Sequence, residues 1–163
     1  MIEAVIFDLD GTLIQLPLDY PKMYATFKKI MKTDQIRPVL ETVAKLDPTT
    51  KAQVFKAWDK AERAVTEKIT PNKEGMTLYQ KYADKPKALV TMQGKAIVDV
   101  VVDRCELCFD FIATRENSLS RAEQLEIAAE KLKTPLKSIL FVGNSDGDAI
   151  AAEKVGCTFQ RVK

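Results

Sequence analysis

The residues best equipped for chemistry lie in one hexapeptide, Asp8-Leu9-Asp10-Gly11-Thr12-Leu13. Asp8 and Asp10 are close enough in the chain for both carboxyl groups to enter one site, and Gly11 lets the backbone turn sharply away from it. At average residue frequencies this pattern arises by chance about once in several thousand chains of this size. It follows the apolar run Glu3–Asp8, which reads as a strand. Open α/β sheets bind ligands at the ends of such strands. A carboxylate can attack phosphorus and form an aspartyl-phosphate, dividing one hard hydrolysis into two easier steps. A second carboxylate beside it can protonate the leaving alkoxide and later take a proton from water. Crowded carboxylates repel one another and would also repel a phosphate. A hard divalent cation with oxygen ligands, such as Mg²⁺, would resolve both conflicts.

Residue counts narrow the alternatives. The chain of 163 residues has no histidine. That excludes Ser-His-Asp and Cys-His catalysis and His-ligated zinc or haem, and leaves proton transfer to carboxylates, Lys, Tyr or water. The three cysteines cannot complete a four-thiolate zinc site. Cys105 and Cys108 have the spacing of a redox pair, but they lie where a helix ends and a strand begins. A redox pair is expected at a helix N-terminus, so these cysteines read as structural in a reducing compartment.

The elements that must position Asp8 and Asp10 follow from the apolar pattern. Five strands are expected, at Glu3–Asp8, Lys87–Thr91, Asp110–Thr114, Ser138–Gly143 and Thr158–Val162. Near-continuous apolar runs of this length suit a parallel sheet buried on both faces. Helices are expected at Lys95–Arg104, Arg121–Leu132 and Asp148–Val155. The alternation implies a doubly wound, five-stranded Rossmann-like α/β core built from residues 1–16 and 87–163.

Residues 17–86 break this rhythm. Four amphipathic stretches, marked by Met23/Phe27, Val39/Val43, Val54/Trp58 and Met76/Tyr79, read as an inserted all-helical cap. It carries 14 Lys/Arg against 9 Asp/Glu, which suits either a solvated surface or an electropositive lid over an anionic substrate. Over the whole chain 25 basic residues meet 23 acidic ones, so net charge supports neither a nucleic-acid nor a membrane-surface role. No uncharged stretch approaches the roughly 18 residues of a membrane span. The first ten residues reach acid too soon for a signal peptide, so a cytoplasmic protein is expected.

From end to end the chain resembles the haloacid dehalogenase-like superfamily, in the branch of phosphoglycolate phosphatase-like enzymes with a helical cap. The resemblance rests on Asp8–Leu13, on Ala88–Gly94 (ALVTMQG) and on Val142–Asp148 (VGNSDGD). It implies that Asp8 is the nucleophile and Asp10 the general acid and base. Thr91 would bind the phosphoryl group, helped by the backbone N–H groups of Met92 and Gln93 at the mouth of a helix. A cation is implied after the third strand. Arg121 is the better candidate and Arg115 the competitor, since the Lys-Pro usual in the family is Arg121-Ala122 here.

Mg²⁺ would be held by the Asp8 carboxylate, the Asp10 carbonyl and an oxygen of the fourth motif. That motif usually reads Gly-Asp-Ser-x-x-Asp, whereas this chain has Asn144 in place of the first aspartate and keeps the second as Asp148. A neutral Asn144 should weaken metal binding, and Asp148 or Asp146 would have to compensate.

The expected function is Mg²⁺-dependent hydrolysis of a small phosphorylated metabolite. Two alternatives stand beside it: a phosphomutase using the same aspartates, and a catalytically impaired phosphate-binding or regulatory protein, because of Asn144. A dehalogenase is disfavoured, because that branch of the family lacks the aspartate that Asp10 supplies. Oligomeric state is left open.

Overall fold

The computed structural model describes residues 1–163. Its elements are β1 (Ala4–Phe7), β2 (Ile14–Gln15), α1 (Tyr20–Met31), α2 (Val39–Ala44), α3 (Pro48–Ala64), β3 (Thr70–Pro71), α4 (Lys73–Lys81), β4 (Lys87–Val90), α5 (Lys95–Arg104), β5 (Phe111–Ala113), α6 (Arg121–Lys131), β6 (Ile139–Gly143), α7 (Asp146–Val155) and β7 (Thr158–Arg161).

Five strands form one parallel sheet in the order β5-β4-β1-β6-β7. This is the doubly wound α/β core expected from the apolar runs. The first strand lies at the centre, and the chain winds outward from it in both directions. The switch of direction leaves a crevice beyond the C-terminal end of β1, where Asp8 begins.

Both faces of the sheet are covered. Side chains alternate across a strand, so Val5 and Phe7 join one cluster with Leu78, Tyr79, Ile97, Val98 and Val101 of α4 and α5. Ala4 and Ile6 join the other, with Leu125, Ala128, Ala129, Ala151 and Ala152 of α6 and α7. Small alanines on α6 and α7 let these helices approach the sheet closely. No helix is long and apolar enough to cross a membrane.

The insert departs from its expected form in two ways. Helices α1 to α3 close a cluster of their own around Met23, Phe27, Ile36, Val43, Val54 and Trp58. Residues Thr70–Pro71, however, pair antiparallel with Ile14–Gln15 as a small ribbon, so the segment is not helical throughout. Helix α4 packs on the sheet rather than on α1–α3. Its helical period was legible, but a period alone does not say which layer an apolar face meets.

That helix also braces the segment after Asp10. Asn72 caps α4 by accepting from the N–H groups of Glu74 and Gly75, and its own N–H donates to the Leu13 carbonyl at 2.8 Å. Gly75 lies so close that a Cβ there would fall 1.7 Å from the Thr12 carbonyl oxygen. We therefore expect Gly75→Ala to cost about 1–3 kcal/mol by overpacking, measured by urea denaturation. Gly147→Ala is the control: a Cβ there would meet only Ser145 Oγ, at 3.6 Å. Equal stability of the two variants would contradict this account of α4.

Candidate active site

Asp8 sits directly beyond β1, and its N–H donates to the Val142 carbonyl at 2.9 Å. Only 5% of the residue is exposed. The chain then folds back: Leu9 accepts from Thr12, Leu13 and Ile14, while Gly11 takes a positive φ of 80°. A side chain at Gly11 is excluded twice, by that φ and by Asn144, whose amide end would lie 2.1 Å from the added Cβ. The turn brings Asp10 back beside the insert. Its Oδ1 accepts from the Leu16 N–H at 2.9 Å and its Oδ2 from the Tyr20 hydroxyl at 3.4 Å.

A buried carboxylate needs a counter-charge. Arg121, the first residue of α6, supplies it: Nη2 reaches Asp8 Oδ1 and Nε reaches Asp148 Oδ1, each at 3.0 Å. Nη1 donates to Gln124 Oε1 at 2.7 Å, which completes the fork. Burial nonetheless pushes the Asp8 carboxyl up to about 7. The Arg121 guanidinium opposes that rise, and the Asp148 and Asp10 carboxylates add to it. Burial also raises Asp10, against hydrogen bonds from Leu16 and Tyr20 that favour its charged form.

The two candidate arginines have different partners. Arg121 touches Asp8. Arg115 turns toward α3 instead, where it pairs with Asp59 and Glu62.

Asp148, expected as a metal ligand, is here engaged by the protein itself. Its Oδ1 is taken by Arg121, and its Oδ2 accepts from the N–H groups of Asn144 and Ser145 at 3.1 and 3.2 Å. It is the N3 residue of a capping box on α7. Both oxygens thus already accept hydrogen bonds, Oδ1 one and Oδ2 two. Asp146 is exposed and pairs with Arg161.

Asn144 does reach the aspartates. With its amide oriented to satisfy its neighbours, the nitrogen donates to Asp8 Oδ2 at 3.0 Å. The Asp10 carbonyl and Thr12 Oγ1 lie 3.3 Å from the same nitrogen. Turned over, the amide would present Oδ1 to these positions. The acidic residues alone form no cluster of three that could hold a metal ion. One carboxylate, one peptide carbonyl and one neutral amide do fit a hard divalent cation of the Mg²⁺ type, which takes few protein carboxylates and fills its shell with water and phosphate oxygens.

The expected phosphoryl donors are only partly available. Thr91 Oγ donates to Gln93 Oε1 at 2.6 Å and accepts from the Gln93 N–H at 3.1 Å, so these two residues satisfy each other. Two carboxylates cover the N-terminus of α5: Glu62 accepts from the Gly94 N–H, and Glu116 from the Lys95 N–H. Sequence reasoning missed Glu62 and Asp59. Their signal was faint: Phe55, Trp58, Asp59 and Glu62 share one face of α3 at helical spacing, and acids on the same face as a core tryptophan are unusual. Between the insert and the sheet lies a cavity of about 800 Å³. Leu40, Lys51 and Phe55 line it from the insert, and Met92, Arg121 and Asp148 from the loops at the strand ends.

The sequence model of one family, described as haloacid dehalogenase-like hydrolase, matches residues 5–162. A search of curated proteins returns no match. Among solved structures, a haloacid dehalogenase-like family hydrolase from Streptococcus pneumoniae superposes with a TM-score of 0.72 at 16% identity, covering 99% of this chain and 85% of its own. CbbY from Rhodobacter sphaeroides, in complex with phosphate, gives 0.69 at 19%, covering 100% and 88%. The L-2-haloacid dehalogenase of Xanthobacter autotrophicus gives 0.63 at 18%, covering 99% and 78%. At these identities the likeness is one of fold.

The raised Asp8 carboxyl makes a stability prediction. Its folded value of about 7 exceeds the ordinary 3.8, so the folded state holds this proton more tightly. The stabilisation is full below the ordinary value and is lost as pH rises through the folded one. Asp8→Asn removes the titration. In chelator, the variant should gain on the wild type between about pH 5 and about pH 8, by an amount on the order of a few kcal/mol, read by urea denaturation. A gap that stays constant over that range would mean that burial does not raise Asp8.

Proposed function

The chain belongs to the haloacid dehalogenase-like hydrolases, and from that premise we propose that it is a Mg²⁺-dependent phosphatase acting on a small phosphorylated metabolite. One observation carries the reading: the Asp8 carboxylate, buried at the end of the central strand, is held by Arg121 at 3.0 Å with Asp10 two residues on. In the first step an Asp8 oxygen attacks phosphorus. The bond from phosphorus to the ester oxygen breaks, and Asp10 delivers its proton to that oxygen. In the second step Asp10 takes a proton from water as the water oxygen attacks the same phosphorus. Inorganic phosphate leaves and the Asp8 carboxylate is restored. The raised proton affinity of Asp10 suits a group that must hold a proton before it gives one up.

Arg121 would balance charge on the phosphoryl oxygens, and Met92 would offer its N–H. Mg²⁺, held by Asp8, the Asp10 carbonyl and Asn144 Oδ1, would neutralise the phosphate's approach to the carboxylates. The insert through Ile69 serves in this reading as the cap, and α4 counts with the sheet. A nearly covered Asp8 suits a small substrate, and the cavity of about 800 Å³ reaches Arg121 and Asp148 beside it without being lined by Asp8 or Asp10 themselves. A second reading, a phosphate-binding protein without turnover, is favoured by one contact only, the Asn144 amide on Asp8 Oδ2.

Phosphate release from para-nitrophenyl phosphate, with Mg²⁺ titrated in, tests both. The phosphatase reading expects Mg²⁺-dependent release that Asp8→Asn lowers at least about a thousandfold. Asn144→Asp adds a negative ligand and should lower the half-saturating Mg²⁺ concentration by about tenfold, checked independently by calorimetric titration. Release that survives Asp8→Asn would remove Asp8 as nucleophile. Release that appears only in Asn144→Asp would favour the binding protein.

A further inference from the structure

Arg115 is the largest fully buried side chain of the protein, and the reaction proposed above does not use it. It follows β5 and enters the seam between α3 and the Thr91–Gly94 loop. Its Nη2 pairs with Asp59 and, at 2.8 Å, with Glu62. Its Nη1 donates to the Met92 carbonyl at 3.2 Å, and its backbone N–H donates to the Gln93 carbonyl at 3.3 Å. The guanidinium lies 4.5 Å from the centre of the Trp58 ring and 5.6 Å from that of Phe55.

Glu62, 1% exposed, completes the contact by accepting from the Gly94 N–H at 3.2 Å. Gly94 has no room for a side chain: a Cβ would fall 2.5 Å from Asp59 Oδ1 and 2.6 Å from Arg115 Nη2. Three successive loop residues, Met92, Gln93 and Gly94, are thus gripped by one arginine and the acid it pairs with.

Apolar side chains would close such a seam at lower desolvation cost than three charges. Directional bonds add register, because the fork and the carboxylate meet the loop in one arrangement only. Arg115 Nε and Trp58 Nε1 are buried without a partner, so the closed seam retains an uncompensated polar cost. Met92 and Leu119 also pack against the insert's apolar cluster, so the pairing adds direction and register to a contact that packing already makes.

We propose that Arg115 is a positioning residue, which makes seating of helix α3 on the sheet and shaping of the Thr91–Gly94 loop a single event. The link to catalysis rests on the phosphatase reading, while the link between helix and loop does not.

Trp58 is the only tryptophan and lies under the guanidinium, so its accessibility to acrylamide reports the seam. Arg115→Met, Arg115→Lys and Glu62→Gln are compared with the wild type after circular dichroism has established that each folds. Glu62→Gln keeps the side-chain shape, and Arg115→Met/Glu62→Met removes both charges should the single arginine variant fail to fold. For Arg115→Met and Glu62→Gln we expect increased Trp58 quenching and a kcat lower by at least about tenfold, with KM changed less than about threefold. Arg115→Lys should recover part of both, since it keeps a charge but not the fork.

Folded variants with wild-type quenching overturn the proposal, and so does an exposed Trp58 with wild-type kcat. If the wild type releases no phosphate, the phosphatase reading fails separately. Binding of inorganic phosphate, followed by Trp58 quenching, then decides: weaker binding in the variants supports the coupling, and equal binding overturns it.

Discussion

A negative charge buried at the end of a fully buried strand is the constraint that organises this protein. Asp8 lies where the chain leaves the centre of the sheet, out of contact with bulk water. Left alone, such a carboxylate would simply keep its proton. Arg121 offsets part of that tendency, at 3.0 Å, but Arg121 must itself be aimed. Asp148 and Gln124 hold the other nitrogens of the fork. Asp148 is in turn fixed by the start of α7, and Gln124 donates to the Thr91, Thr114 and Ser118 carbonyls. The ends of β1, β4, β5 and β6 are thereby tied together through a few polar side chains. Burial still raises the Asp8 carboxyl above its ordinary value, so the pairing with Arg121 offsets the desolvation only in part.

The insert meets this frame through a second set of buried charges, Arg115 with Asp59 and Glu62. The two sets lie on opposite sides of the Thr91–Gly94 loop. Gln124 of α6 holds the Thr91 carbonyl; Arg115, just beyond β5, and Glu62 of the insert hold the next three residues. A short loop between two such networks has little freedom of its own. Its conformation depends on whether both networks are assembled, and so on the position of α3. Tyr20, at the start of α1, donates to Asp10, so that aspartate too answers to the placement of a helix of the insert.

Asn144 shows how one neutral substitution changes the chemistry of a crowded acidic site. A carboxylate at that position would add a charge beside Asp8 and require a cation. An amide can donate to Asp8 Oδ2 directly, which lessens the repulsion without an ion. The same side chain turned over becomes a neutral oxygen ligand. One residue thus meets Asp8 as a donor in one orientation of its amide and would offer a neutral oxygen in the other.

Much of this was legible in the chain itself. Near-continuous apolar runs established a parallel sheet covered on both faces, because such runs can be buried only there. Asp8 and Asp10 announced the site, because two carboxylates and a glycine after a strand can occupy one crevice. The family followed from those residues. Other features depended on approach in space, which local periodicity does not encode. The helix containing Tyr79 packs on the sheet although its pattern matches the helices before it. Arg121 and Arg115 part company according to where each guanidinium finds carboxylates, one at the strand ends and one on α3. Asp148 became a cap and an anchor because helix α7 starts beside it, and Glu62 came to cover the start of α5 because the insert folds back onto the core. Sequence determined which residue types were available and on which elements they ride. Only the tertiary structure decided their pairings, because a buried charge takes its partner from whichever element is packed against it.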